Sequence, residues 1–346
     1  MRRTVVYLAA AFLVPGTVLA GPCTTTTARC TEWVALGKGS ARSLVYRTLP
    51  LRVRNPAIVR ALIIVHDTDR DARNAFDVVL AAAAAAGAGV RDDTLVIAPR
   101  FSSNDGRLCR DMLSAREVNW PCVGDSWRSG GIAAEGRSSF ELMDEIIRRA
   151  ADARVFPNLR SIVVAGHSAG AQFVTRYAMA NRVHEQLGPS VSYVVANPSS
   201  YAYLDDRRPL TLQGRMEFRS FAGARTCTSF DRWPYGLNDR TGYLRGVVSE
   251  DLRTQAANRP TTYLLGGRDV LQDANFDRSC AAMAQGATRL ERGQAFSEYV
   301  NQKFGAHHTV LMIPPCGHDA RCVLTAAASL PALFPGRRQS SAPAAN

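Results

Sequence analysis

The sequence predicts an α/β fold built on a mostly parallel sheet. Three observations carry this reading. Short apolar, β-branched runs recur along the chain. They are continuous rather than alternating, as strands covered on both faces are. Helix-compatible segments lie between several of them, and strand–helix alternation implies a parallel sheet with helices packed on it.

The first clear run is Leu62-Ile63-Ile64-Val65. A helix over residues 72–86 follows, rich in alanine and ended by Gly87, a suitable C-cap. Thr94-Leu95-Val96-Ile97 is the next strand. A helix over 139–149 places Phe140, Met143, Ile146 and Ile147 at helical spacing, with Ser138 or Ser139 to cap it and Glu141 in its first turn. Ile162-Val163-Val164, Tyr193-Val194-Val195, Tyr263-Leu264-Leu265 and Val310-Leu311-Met312-Ile313 complete the runs. Two stretches break the rhythm, 101–137 and 198–260, and read as long loops after strand ends, where functional loops and lids lie. Residues after Phe334 are rich in Pro, Ser and Ala and read as a frayed tail, disordered from about 335.

With 346 residues, 46% hydrophobic and 21% charged, the chain has ample material for a packed core and is not a disordered polymer. No linker, repeat or internal charge run divides it, so residues 21–346 read as one domain. Residues 1–20 read as a signal peptide: Arg2 and Arg3 precede an apolar run over 5–14, and Val18-Leu19-Ala20 suits cleavage after Ala20. The apolar run is too short for a membrane span and is interrupted by Pro15-Gly16, so no stable membrane insertion is expected. Secretion or periplasmic export suits the eight cysteines, all beyond the cleavage point. Their number suggests four disulfides, and 105 pairings are open. Short spacing favours Cys23–Cys30, Cys109–Cys122 and Cys316–Cys322, which leaves Cys227 with Cys280. No C-x-x-C pair occurs, and no cofactor or metal motif stands out. The net charge is +12, carried almost wholly by arginine. The basic residues are scattered and match no nucleic-acid-binding pattern, so nucleic acid is not an expected partner.

Gly166-His167-Ser168-Ala169-Gly170 is a G-x-S-x-G pentapeptide between a strand ending at Ala165 and a helix-compatible run over 172–180. That setting is what a nucleophile elbow requires: a sharp turn that lifts the serine hydroxyl from the carboxyl edge of the sheet. A serine hydroxyl is a weak nucleophile and needs a base. His318 follows the last strand, in Pro315-Cys316-Gly317-His318-Asp319, where the order Ser…acid…His puts the base. His167 reads as packing behind the elbow, His184 as a surface residue, and His307 and His308 precede the strand. The base needs an acid to fix its tautomer. Asp269, just past the 262–266 strand, is favoured over Asp273 and Asp277. The oxyanion donors are expected to be the N–H groups of Ala169, next to the nucleophile, and Thr68, in the loop His66-Asp67-Thr68-Asp69. His66 reads as a buried residue that orders this loop.

The elbow, the strand–Gly-x-x-Asp pattern at Asp269 and the Gly-His pattern at His318 resemble the α/β-hydrolase superfamily, in order and spacing from about residue 45 to 334. Phe156-Pro157-Asn158-Leu159 and Ala196-Asn197-Pro198-Ser199-Ser200-Tyr201 are similar to a subgroup of secreted bacterial and fungal members. The resemblance implies an eight-stranded sheet and an acyl-serine intermediate. His66-Asp67 departs from the His-Gly that many members carry after the third strand. The expected activity is carboxylic ester hydrolysis on a small-molecule or polymeric substrate, with peptidase, amidase or depolymerase action, acyl transfer, or a non-catalytic binding role as alternatives. Trp120, Trp127, Tyr201 and Trp233, from the two long loops, are the expected substrate walls.

Overall fold

The computed structural model describes residues 21–124 and 126–336. The expected leader over 1–20, and the tail from 337 onward, lie outside the described residues. The strands are β1 (Thr31–Ala35), β2 (Arg42–Arg47), β3 (Arg60–Val65), β4 (Thr94–Pro99), β5 (Ser161–His167), β6 (Ser190–Ala196), β7 (Arg207–Leu212), β8 (Arg215–Ser220), β9 (Thr261–Gly266) and β10 (Thr309–Ile313). The helices are α1 (Ala72–Ala86), α2 (Ala88–Asp92), α3 (Ser139–Ala150), α4 (Ala169–Ala180), α5 (Ser249–Asn258), α6 (Cys280–Met283), α7 (Arg289–Phe304), α8 (Ala320–Thr325) and α9 (Leu330–Leu333).

Eight strands form one sheet in the order β1-β2-β4-β3-β5-β6-β9-β10. β1 and β2 are antiparallel at one edge, and β4 onward runs parallel. Five of the six continuous apolar runs are buried on both faces as expected, while the run in β10 lies at the sheet edge with Val310 and Met312 exposed. Along β3, Ala61, Ile63 and Val65 enter the core on one face while Leu62 and Ile64 enter the core on the other. The first face is covered by α3, α4 and α7 with a large aromatic cluster; the second by α1, α8 and α9.

Local chemistry sets the helix ends. Asp71 accepts the Asn74 N–H to open α1, and Gly87, at φ 115°, stops it. Ser138 and Glu141 form a reciprocal capping box at α3. Register aligns the carboxyl ends of the central strands: Val65 pairs with Gly166, Gly166 with Val195, Ala196 with Leu264 and Gly266 with Ile313. The loops that leave these ends therefore converge on one edge.

The stretch over 198–260 is more ordered than its sequence suggests. It holds the β7–β8 hairpin and α5. The hairpin turns at Gln213-Gly214, with φ of 49° and 77°, the left-handed pair that a two-residue hairpin loop demands. Its strands are charged and half-exposed, so no apolar run announces them. The 101–137 stretch is mostly irregular and contains one 3₁₀ turn at Trp127–Ser129.

Candidate active site

Ser168 stands between β5 and α4, with φ 53° and ψ −117°. A non-glycine residue in that region is strained, and the flanking packing over-determines it. A Cβ on Gly166 would lie 2.4 Å from the Gly170 carbonyl, and one on Gly170 would lie 2.2 Å from the Val65 carbonyl oxygen. The two glycines thus let α4 press against the ends of β5 and β3, and the chain between them turns sharply enough to expose the Ser168 hydroxyl. The Ser168 N–H donates to the Ala196 carbonyl at 2.9 Å, which fixes the turn to β6.

His318 Nε2 lies 2.9 Å from Ser168 Oγ, and its Nδ1 lies 2.8 Å from Asp269 Oδ2. With the proton on Nδ1 toward the carboxylate, Nε2 is the acceptor for the serine hydroxyl. Asp269 is 1% exposed and hangs from the turn after β9, where its N–H donates to the Gly266 carbonyl. Its other oxygen faces the fully buried Arg289 guanidinium at 3.5 Å. Arg289 also donates to Ser199 Oγ at 2.9 Å and to both oxygens of Asp273 at 2.9 Å. Asp273 therefore serves Arg289, which holds its carboxyl below the usual range. Asp277 accepts the Tyr235 hydroxyl at 2.8 Å. Neither carboxylate is the one on His318.

The loops that carry His318 and Asp269 are fastened together. Asn197, in the left-handed region at φ 49°, accepts the Gly266 N–H at 2.8 Å and donates to the Gly317 carbonyl at 3.1 Å. Arg268 N–H donates to the Cys316 carbonyl, and the Cys316–Cys322 disulfide closes the loop that carries His318. Sequence reasoning assigned no role to Asn197 or Arg289. An asparagine directly after a strand and before Pro198 was the available signal for the first. A lone arginine at a helix start gave none for the second.

The His167 ring packs on His318 with centroids 4.7 Å apart. It is buried, neither of its nitrogens finds a partner among the described residues, and burial followed by the His318 and Arg289 charges keeps it far below its ordinary range. It is a neutral wall behind the His318 ring. His66 accepts the Phe101 N–H on Nε2 at 3.0 Å, so its Nδ1 carries the proton and donates to the Asp67 carbonyl at 2.9 Å. Burial pushes His66 down to about 4. It orders the loop after β3. That loop is pressed against the start of α4, through the contact at Gly170, and holds Thr68, whose carbonyl accepts from Arg70 at 2.8 Å. Ala169 is the first residue of α4, where backbone N–H groups have no intrahelical acceptor. Asp67 is raised by burial, with the His318 charge acting in the opposite direction.

The expected substrate walls need correction. Trp120, Trp127 and Tyr201 are no more than 2% exposed. Trp127 stacks on Phe101 with centroids 5.4 Å apart, Trp120 meets Phe101 edge-on, and Tyr201 stacks on Phe296 at 4.5 Å. Each ring gains more by leaving water than by lining an open site, and the loops fold inward to bury them. Trp233 alone of the four is half-buried and lines a cavity. His184 is half-buried rather than on the surface, with Nδ1 2.9 Å from the Tyr193 hydroxyl. His308 meets the Tyr263 hydroxyl, and His307 is exposed.

The cysteines pair as Cys23–Cys30, Cys109–Cys122, Cys227–Cys280 and Cys316–Cys322. Among the described residues no cluster of three His, Cys, Asp or Glu side chains could hold a metal ion, and no helix is long and apolar enough to cross a membrane.

No sequence-family profile matches the chain, and no curated protein matches it in sequence. Solved structures do. The poly(3-hydroxybutyrate) depolymerase LpqC from Bordetella parapertussis is similar at 20% identity and a TM-score of 0.61, over 90% of this chain and 92% of that one. Poly(aspartic acid) hydrolase-1 from Sphingomonas sp. KT-1 is similar at 20% identity and a TM-score of 0.59, over 85% and 94%. At this identity the likeness speaks to architecture, and with the strand order above it shows that the chain has the α/β-hydrolase fold.

Proposed function

We propose that this chain is an exported serine hydrolase that cleaves carboxylic esters through an acyl-serine intermediate. The observation that carries the reading is the unbroken link Asp269–His318–Ser168, made by three loops that leave neighbouring strand ends. Ser168 Oγ attacks the ester carbonyl as its proton passes to His318 Nε2. The Asp269 carboxylate holds the imidazolium that forms. The N–H groups of Ala169 and Thr68 receive the oxyanion. His318 then gives its proton to the departing alkoxide, and the alcohol leaves. Water attacks the acyl-serine, losing a proton to His318; the bond to Ser168 Oγ breaks, His318 returns that proton to the serine oxygen, and the acid is released. Retention of nucleophile, base and acid in bonding contact favours this over a non-catalytic binding role.

Export is supported by the leader pattern over 1–20 and by four disulfides in the described chain. Residues 21–346 act as one catalytic domain in this reading. The names of the two similar structures keep a polymeric ester or amide as a second substrate reading. The test is labelling of the purified mature chain with a fluorophosphonate, with the modified residue mapped by mass spectrometry. Label on Ser168 that is lost in His318→Ala is the expected result. A folded chain that takes no label refutes the reading.

A further inference from the structure

A cavity of about 410 Å³ lies on the α4 side of the sheet. Its volume falls in the range of small-molecule sites. Its chemistry is unusual for a lipid or aryl pocket. Arg128, Arg176, Gln172 and Ser200 line it, with Trp233 and Tyr235 across from them. Among the described residues that line it, one carboxylate, Asp277, also borders it and accepts the Tyr235 hydroxyl, and the two guanidinium groups outnumber it.

Three connections tie this cavity to the triad. Ser168, Gln172 and Arg176 fall four residues apart, so they form one stripe of α4, and Gln172 N–H donates to the Ser168 carbonyl at 3.0 Å. Ser200 is next to Ser199, which holds the Arg289 guanidinium beside Asp269. Arg128 lies within electrostatic reach of Arg70, whose side chain fastens the Thr68 loop. The cavity is thus bounded by the nucleophile helix and the loop after β6, with the loop after β3 close by.

Its cations differ in what they do. Arg176 is 2% exposed and donates to the Ser200 hydroxyl and to the Arg128 and Pro234 carbonyls. It builds the wall. Arg128 has its Nε on Ser126 Oγ at 3.2 Å, and among the described residues no carboxylate oxygen lies within 4 Å of its guanidinium. Burial lowers it from its ordinary value, with Tyr235 and Asp277 acting in the opposite direction. A desolvated cation that faces a cavity next to a nucleophile fits a planar anion, which guanidinium binds with two parallel N–H bonds.

On the reading of Ser168 as the nucleophile, we propose that this cavity is a carboxylate subsite and that the enzyme selects esters bearing a free carboxylate, bound by Arg128. The helix rise puts Gln172 and Arg176 roughly 6 and 12 Å along the axis from Ser168, so the carboxylate stands several bonds from the scissile carbonyl.

The test compares p-nitrophenyl half-esters of linear dicarboxylic acids of increasing length with their methyl-capped counterparts. A second arm uses neutral acyl esters of ω-hydroxy acids, which carry the carboxylate on the alcohol side. The wild-type chain is expected to favour the free acid by about tenfold or more in kcat/KM at one spacing, in one of the two arms, and to lose the preference as salt rises. Arg128→Gln is expected to raise KM for the free acid by more than for the capped ester, so that the ratio between the two falls, and Arg128→Lys to restore part of the preference. Free linear dicarboxylates, as competitive inhibitors of neutral-ester hydrolysis by the wild-type chain, give a readout that needs no variant. Equal rates for capped and free esters at every length, with no inhibition by millimolar dicarboxylate, overturn the proposal. If Ser168 still takes the fluorophosphonate in that case, the hydrolase reading stands and only the carboxylate subsite falls. If it takes none, both fall.

Discussion

Asn197→Asp replaces a buried amide NH2 with a carboxylate oxygen, removing both N–H donors and adding a negative charge while leaving the side chain's shape nearly the same. The aspartate oxygen that replaces Oδ1 still accepts the Gly266 N–H. The other oxygen now meets the Gly317 carbonyl oxygen where an amide donor stood at 3.1 Å. Asn197 is 2% exposed, so water does not substitute for the lost donor. Leaving a buried carbonyl unpaired costs about 1–3 kcal/mol, and setting a carboxylate against it adds to that. Gly317 directly precedes His318, so the loop relaxes by moving the base. If about 2–4 kcal/mol is lost in the transition state, kcat/KM falls roughly 30- to 1000-fold. The assay is ester hydrolysis under single-turnover conditions, with thermal melting as the stability control. Asn197→Gly, which suits the positive φ but has no side chain, should be impaired as well, because both backbone groups lose their partner. An Asn197→Asp enzyme with wild-type kcat/KM and an unchanged melting curve would refute the claim that this amide aligns the base.

Three further outcomes are expected. Gly170→Ala should be strongly destabilised or fail to fold, because its Cβ would lie 2.2 Å from a backbone oxygen of β3; thermal melting or soluble yield reads this. Cys316→Ser with Cys322→Ser opens a short loop, whose closure is worth about 2 kcal/mol in the unfolded chain, and should lower kcat by more than that modest loss of stability explains; an unchanged kcat would show that the staple does not position His318. His66 stays neutral in the fold, where burial pushes it down to about 4, whereas the unfolded residue takes a proton near its ordinary value of 6.5. The stability due to this residue is therefore full above pH 6.5 and is lost as pH falls toward 4, by about 3 kcal/mol across that window. Urea melts at pH 7 and pH 4.5 should show a smaller difference in His66→Gln than in the wild-type chain.

Five of the parallel strands were legible because burial on both faces leaves no polar position; the sixth, β10, is an edge strand that keeps an apolar run although Val310 and Met312 are exposed. The antiparallel strands β1 and β2 were not legible, since β2 reads Arg42-Ser43-Leu44-Val45-Tyr46-Arg47 and is only partly buried. The β7–β8 hairpin escaped for the same reason. That Ser168, His318 and Asp269 come together was legible because chain order and strand ends constrain where each can stand. What supports them was not. Arg289 comes from a helix start 20 residues past Asp269, and no local pattern marks a buried guanidinium as the partner of a particular carboxylate. The aromatic residues misled because an indole in a polar loop looks like a binding surface, while the loop's fold decides whether it faces ligand or core. Trp127 and Trp233 belong to such loops and ended on opposite sides of that decision.

The contact between Ser168 and His318 closes across 150 residues, and the histidine belongs to the last strand–helix connection of the sheet. A chain still emerging from synthesis carries a strained serine with no base to activate it. Acid and base arrive together, because β9 and β10 dock side by side and Asn197 clasps their loops. On the proposed reading, hydrolytic competence is a property of the finished sheet edge. Truncation that removes β10 and the loop after it is then expected to abolish activity while Ser168 is still present, and recovery of activity during refolding to follow the docking of the final strand.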